Sequence, residues 1–413
     1  MNTIRKGLLQ LIFSGAYMLR WNDKQRASEL YEIDKQGHKM LLACALWQQN
    51  SQHLGIEAKH SMGQKIIEGG LFDYLYRMVI TDIKPPVFYR IKEKPEHFRQ
   101  LTGYVIAKLE PIVAPLDSGF WQRFCEYHRQ PDDSSQEARI LSAAHLYASR
   151  WEFNCLRPLN SFDEEMPHIE RSFQNRLDSL RDVAGVPALL EKENALARFA
   201  NICGMLRFQI RWTQVPRIPA TSVLGHMFLV ATYAYCYSLT IHGCTARCNN
   251  NFFCGLFHDL PELLTRDIIS PVKRSVPLLP ELIREYEEQE LESHIFAPLR
   301  KQGFDGLAND IGYYLGLDTG SEFFESTRVD GVVKRIDDFS ALHSSCNANA
   351  LDPKDGELIK VCDTLAAFLE ASNSLRHGVS SAHLVQAAGN LRKTLQECSI
   401  NELELGALMA DFD

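Results

Sequence analysis

The chain is 413 residues long and carries a formal net charge of −8. That balance excludes a broad basic field for the backbone of a nucleic-acid polymer, and no apolar run reaches the length that spans a bilayer. Such a length leaves room for two domains with buried cores. Eleven cysteines, an odd number scattered through apolar stretches, suit the reduced thiols of a cytoplasmic protein better than a disulfide framework.

In chain order, the apolar stretch Leu8 to Phe13 comes first. It has no small-residue cleavage site and runs on to Arg20-Trp21, so it reads as part of a helix and not as a signal peptide. Hydrophobic spacing predicts helices over roughly 5–19, 34–53, 62–80, 95–112, 136–157 and 166–183. Turn-forming clusters interrupt them at Lys84-Pro85-Pro86, at Ala114-Pro115 with Gly119, and at Gln130-Pro131-Asp132-Asp133. Residues 158–187 are polar and charged and end in Val183-Ala184-Gly185-Val186-Pro187, which places the boundary between a domain of residues 1–187 and one of residues 188–413. Further helices are predicted over roughly 188–211, 221–241, 250–258, 279–300, 357–376 and 381–397. Segment 317–356, richer in Gly, Ser, Asn and Asp, reads as an insertion in the second domain. Strand signals are few, so the expected class is all-α. Cys244, Cys248 and Cys254 fit no closed zinc spacing.

One stretch stands out chemically. Phe257-His258-Asp259-Leu260-Pro261-Glu262 follows an apolar run, and a metal ion is the commonest partner for an adjacent imidazole and carboxylate in such a setting. Pro261 lacks an N–H, so a kink or a fresh helix start is expected there, with Glu262 in the first turn. Upstream, Ser222-Val223-Leu224-Gly225-His226-Met227 places one imidazole near the start of a mostly apolar helix; taken alone it reads as a core histidine. Downstream, Asp363 sits in the apolar pattern Val361-Cys362-Asp363-Thr364-Leu365, where a lone carboxylate needs a partner. Asp337 and Asp338 are alternatives to it.

The order His, His-Asp, Asp resembles the HD phosphohydrolase superfamily. Residues 258–273, His-Asp-Leu-Pro-Glu-Leu-Leu-Thr-Arg-Asp-Ile-Ile-Ser-Pro-Val-Lys, are similar to the corresponding stretch of YfbR-type 5′-deoxynucleotidases, and Arg211-Trp212 and Asp363 to Leu369 look like the same family's flanking motifs. The resemblance covers roughly residues 197–395 and implies a helical fold around one divalent ion, a first-row transition metal or Mg, held by His226, His258, Asp259 and Asp363. Two carboxylates would offset its charge and leave positions for water and a phosphate oxygen. No second histidine precedes the pair by one turn, and His294 lies on a surface helix, so one ion is expected and not two.

Catalytic roles then fall to Glu262, which could manage a proton, and to Asp363. Arg211 is the candidate for phosphate and Trp212 a flat wall for sugar or base, with the stapling of two helices as the lesser alternative for both. By resemblance Asp267 would contact the sugar, and Lys273 either assists the phosphate or lies on a solvated face. The implied activity is a metal-dependent phosphohydrolase, foremost a phosphomonoesterase on nucleoside 5′-monophosphates. Alternatives are a hydrolase of another phosphorylated nucleotide, triphosphate or signalling, and a nucleotide-sensing regulator without turnover. A small phosphorylated substrate is the expected partner, and a homodimer is compatible.

The first half carries an echo of the second. Gly70 to Val87 aligns without a gap to Gly255 to Val272, with Gly-Leu-Phe, Asp82 with Asp267, and Pro86-Val87 with Pro271-Val272 identical. Arg20-Trp21 parallels Arg211-Trp212, Gly37-His38 parallels Gly225-His226, and His145 takes the place of Asp363. The expected organisation is a tandem duplication of helical HD domains whose first copy is degenerate. There Asp73 and Tyr74 replace His258 and Asp259, and Arg77 replaces Glu262, so Arg77 is expected to pair with Asp73 and the copy to hold no metal.

Overall fold

The computed structural model describes residues 4–265, 276, 278–398, 400 and 405–413. Its architecture is all-α, with one two-stranded antiparallel hairpin among the described residues. The organising element is the helix Val223–Thr240. Its sequence is apolar on all sides, and it is buried from Val223 to Ser238, as expected of a helix without a polar face. Around it pack the helices Glu32–Ser51, Thr245–Phe257 and Gly356–Arg376. No described helix is long and apolar enough to cross a membrane.

One hydrophobic cluster runs from Ile4 through Trp47, Leu229 and Phe257 to Phe412, so the apolar core is continuous across the position expected for a domain boundary. Two contacts tie the halves at the head of the central helix. Ser222 caps it by accepting from the Gly225 amide (2.9 Å), and the same hydroxyl donates to Asp34 Oδ1 at 2.6 Å from the helix Glu32–Ser51. Burial pushes the Asp34 carboxyl up to about 6, while the Ser222 hydroxyl opposes the shift. Further along, Gly255 faces the backbone of Ala231, where an added Cβ would stand 2.8 Å from the Ala231 Cα and amide nitrogen. Only a residue without a side chain lets these two helices approach so closely.

Several helices escaped the periodicity reading. Pro85–Lys92 begins at the Pro-Pro pair taken as a break; proline is well tolerated in the first turn of a helix, where its missing N–H has no intrahelical partner to lose. Ser118–Arg129 is capped by Asp117, which accepts from the Phe120 amide at 2.7 Å. Asp305–Tyr314 and Phe339–Ser345 were also unforeseen. The helix expected over 188–211 divides into Val186–Leu190 and Ala195–Met205, because Asn194 starts a new cap on the Leu196 amide.

Within 317–356, strands β1 (Ser326–Val329) and β2 (Val332–Arg335) pair through Asp330-Gly331, both residues with positive φ. An Asp-Gly turn of this kind matches the twist of a tight hairpin. A bridge from Ser326 to Lys354 pins the hairpin to the approach of the helix Gly356–Arg376.

Gly255→Ala should force the central helix and its neighbour apart and destabilise the protein by about 1–3 kcal/mol. Urea unfolding followed by circular dichroism measures it; a midpoint equal to that of the parent would show that the contact is not tight.

Candidate metal centre

His226 stands in the first turn of the central helix and is fully buried. Its Nε2 lies 2.9 Å from Asp363 Oδ1 and 3.8 Å from Asp259 Oδ2, and its Nδ1 lies 3.3 Å from Glu370 Oε1. His258 directly follows the helix Thr245–Phe257, with Nδ1 2.8 Å from the Gly255 carbonyl. If Nδ1–H donates there, Nε2 presents a lone pair. This buried Nε2 has no hydrogen-bond partner, although Asp259 Oδ2 is 3.3 Å away, out of line for a hydrogen bond.

One donor atom from each of His226, His258 and Asp259 lies within 4.8 Å of the others, and among the described residues this is the one group of its kind. Asp363 stands at its edge, in contact with His226 and one-third exposed. Two imidazoles, carboxylate oxygens and an unpartnered buried nitrogen fit a divalent ion. Asp337 and Asp338 are exposed, and Asp338 is occupied in capping Phe339–Ser345 through the Ala341 amide.

The helix carrying His258 stops at Phe257, the chain turns, and a short helix Glu262–Thr265 starts after Pro261, as its missing N–H leads one to expect. Glu262 is buried in its first turn. Arg211 Nη1 is 2.9 Å from Asp259 Oδ2 and its Nε is 3.6 Å from Glu370 Oε2. Burial works against this guanidinium's charge, yet Glu370, Asp259, Glu262 and Asp363 together raise its pKa. Trp212, at φ 58°, donates its indole N–H to Glu370 Oε2 at 2.8 Å and packs on the small cluster of Ala371, Leu384 and Ala388. These contacts tie the Arg211-Trp212 loop to the helix Gly356–Arg376. Asp267 and Lys273 lie outside the described residues.

Two acidic residues were missed by the sequence reading. Glu370 is fully buried and collects Trp212, Thr221 (2.9 Å) and His226. It sits two turns after Asp363 on one helix, and the signal that singled out Asp363, a lone carboxylate in an apolar run, applied to it equally. Glu322 belongs to the expected insertion, and its carbonyl receives the Cys254 thiol at 3.9 Å, one turn before His258. Burial pushes its carboxyl up, and it feels the charges of His258 and Asp259.

A local frame like that of residues 209–223 recurs at residues 18–32. Arg211 N donates to Thr221 O (3.0 Å) and Val223 N to Gln209 O (2.8 Å), as Arg20 N does to Leu30 O (2.8 Å) and Glu32 N to Met18 O (2.9 Å). Trp21 has φ 56° and donates to Glu152 Oε2 at 2.9 Å.

The bridges Leu19–Tyr31 and Ile210–Ser222 fix the register, and they bring Lys35, not His38, to the position of His226. The Gly-His pairing of the two segments is therefore three residues out of step. Lys35 Nζ meets His145 Nδ1 at 2.8 Å, much as His226 meets Asp363. His38 is instead buried on the Ala200 carbonyl and beside Arg207, and burial followed by that cation lowers it to about 3. The expected Arg77–Asp73 pair is also corrected. Asp73 is taken by Lys39 at 2.6 Å, whose amine comes from the facing helix, while Arg77 reaches Asp82 (2.8 Å) and Glu32 (3.8 Å). Tyr74 turns away to donate to the Ile12 carbonyl.

Burial lowers the His258 imidazole, but Asp259 and Asp363 outweigh it and carry the group from 6.5 to about 9. Its contribution to the stability of the metal-free protein is thus full below 6.5 and lost as pH rises through 9. A divalent cation needs the neutral ring, so its affinity should rise with pH over the same window. Calorimetric titration with Mn²⁺ at about pH 6.5 and about pH 8.5 should give tighter binding and less proton release at the higher pH; equal affinities would contradict the assignment of His258 as a ligand.

Residues 203–392 match the family model described as HD domain, a span that includes His226, His258-Asp259, Asp363 and Glu370 and leaves the first half of the chain outside. No curated protein and no solved structure matches the chain. The His258-Asp259 pair, the core of the candidate metal centre, lies inside the span that matches the HD-domain model.

Proposed function

We propose that the protein is a metal-dependent phosphohydrolase that cleaves the phosphomonoester of nucleoside 5′-monophosphates. The observation that carries this reading is the buried His258 Nε2, without a hydrogen-bond partner and grouped with His226 and Asp259 beside the Arg211 guanidinium. His226, His258 and Asp259 would hold a divalent ion, with Asp363 completing the set. When bound, such an ion neutralises phosphate charge and makes water acidic enough to ionise near neutral pH.

The remaining work belongs to side chains of this chain. Glu262, buried one turn beyond His258, accepts the proton of the attacking water. Arg211 is already turned toward the cluster by Asp259, and a guanidinium in that position can share its second edge with a phosphate. Asp267, Trp212 and Lys273 are proposed on the substrate side, with Asp267 toward the sugar. Support for a nucleoside monophosphate comes from the similarity of residues 258–273 to 5′-deoxynucleotidases.

We also infer that residues 1–187 are a copy of the same fold that holds no metal. Support comes from the recurring Arg-Trp frame and from Lys35, whose amine meets His145 where a ligand pair would otherwise face an ion. Burial pulls the Lys35 amine down to about 7, and an amine held against His145 gives that position no carboxylate to offset the charge of a divalent cation.

Three outcomes follow. Glu262→Ala should retain metal while turnover on a panel of nucleoside monophosphates falls about 10²-fold or more. Arg211→Ala should mainly weaken use of the phosphate group, read as a loss in kcat/KM. Metal analysis of the purified chain should give about one ion, abolished by His258→Ala and retained in His38→Ala. Parental rates in both the Glu262 and Arg211 variants would reject the proposed chemistry, and a second ion lost with His38 would reject the inert first copy.

A further inference from the structure

The second nitrogen of His226 carries an inference of its own, which rests on the reading of His226 as a metal ligand. Glu370 is fully buried, and its two oxygens are held by groups other than the histidine. Oε2 accepts from the Trp212 indole at 2.8 Å, and Oε1 accepts from the Thr221 hydroxyl at 2.9 Å. The guanidinium groups of Arg211 and Arg217 stand 3.6 and 4.0 Å from Oε2. The carboxylate is therefore fixed before it meets His226 Nδ1, 3.3 Å from Oε1. In the metal-free protein Nε2 donates to Asp363 at 2.9 Å, and a fixed acceptor on Nδ1 keeps a proton on that side, so that it is Nε2 that would give up its proton and offer a lone pair to a cation.

The chain contains its own comparison. Glu152 in the first half is equally buried and receives Trp21 Nε1 and Arg20 Nε on one oxygen, both at 2.9 Å. Its other oxygen receives Arg207 Nη1 at 2.7 Å. The position of His226 is occupied there by Lys35, which meets His145. Glu152 thus shares with Glu370 the work of tying a Trp-bearing loop to a helix, and lacks a ligand histidine to orient. We infer that Glu370 is a positioning residue for the metal centre, setting the tautomer and ring orientation of His226, whereas Glu152 is a structural counterpart only.

The test uses the full chain and Mn²⁺ alone. Glu370→Gln keeps an acceptor for Trp212 but removes the charge that holds the Nδ1 proton; it should weaken Mn²⁺ binding about 10–100-fold. Glu152→Gln removes the same charge from the twin clamp and should leave Mn²⁺ affinity at the parental value, whatever it does to the melting temperature. Glu370→Asp, which retains the charge, should recover part of the loss and stands in if the Gln variant does not fold. The visible absorption of Co²⁺-loaded protein should change in the Glu370 variants and not in Glu152→Gln.

Parental Mn²⁺ affinity in Glu370→Gln, or an equal loss in Glu152→Gln, would overturn the inference. If His226→Ala still abolishes binding in that experiment, the phosphohydrolase reading survives it. Absence of Mn²⁺ binding by the parent chain would overturn both.

Discussion

The distance between two helices governs the rest of this molecule. Gly255 lies against the backbone of Ala231, and that contact brings the imidazoles of His226 and His258 to a centroid separation of 5.5 Å. One extra carbon between the helices would widen the gap, and a donor set closes on an ion only within a narrow range of separations. The contact is apolar, and the groups it brings together are charged. A cluster that would be prohibitive in a looser setting is tolerated because every carboxylate in it has a cation or donor at hand.

The charge balance explains which residues recur in the first half and which do not. In both halves a Trp indole and an Arg converge on a buried Glu, Glu370 or Glu152, and this clamp closes the loop that precedes a central helix. What differs is the face turned to the cavity. In the second half His226 and His258 meet Asp259 and Asp363, so that two imidazoles hold protons a cation could replace. In the first, the Lys35 amine meets His145 and Lys39 pairs with Asp73.

Much of this was legible in the sequence, for identifiable reasons. His258-Asp259, His226 and Asp363 were conspicuous because charged or half-charged groups in apolar runs demand partners, and the all-α class followed from the scarcity of strand alternation. Glu370 carries the same mark but lies one residue beyond the Asp363 to Leu369 stretch that resembles a family motif. The Asp330-Gly331 hairpin also left a recognisable signal, a tight-turn dipeptide between β-branched residues, inside a stretch taken for irregular insertion. The pairing of His38 with His226 failed because identity of the preceding Gly residues outweighed spacing; the register is set by backbone bridges at Leu19–Tyr31 and Ile210–Ser222, which leave no trace in side-chain identity. The short helices after Pro85 and Asp117 were lost because proline and aspartate mark helix starts as often as loops.

The Ser222 hydroxyl, shared between its own helix cap and Asp34, has a consequence for the history of such a chain. The helix that bears His226 begins under a carboxylate supplied by the other half, and the apolar surface beneath is common to both. Once that sharing was in place, deletion of the first half would strip a buried hydroxyl of its acceptor and leave core side chains facing water. A segment in this position is retained by selection whatever its own chemistry, because its neighbour depends on it as a wall.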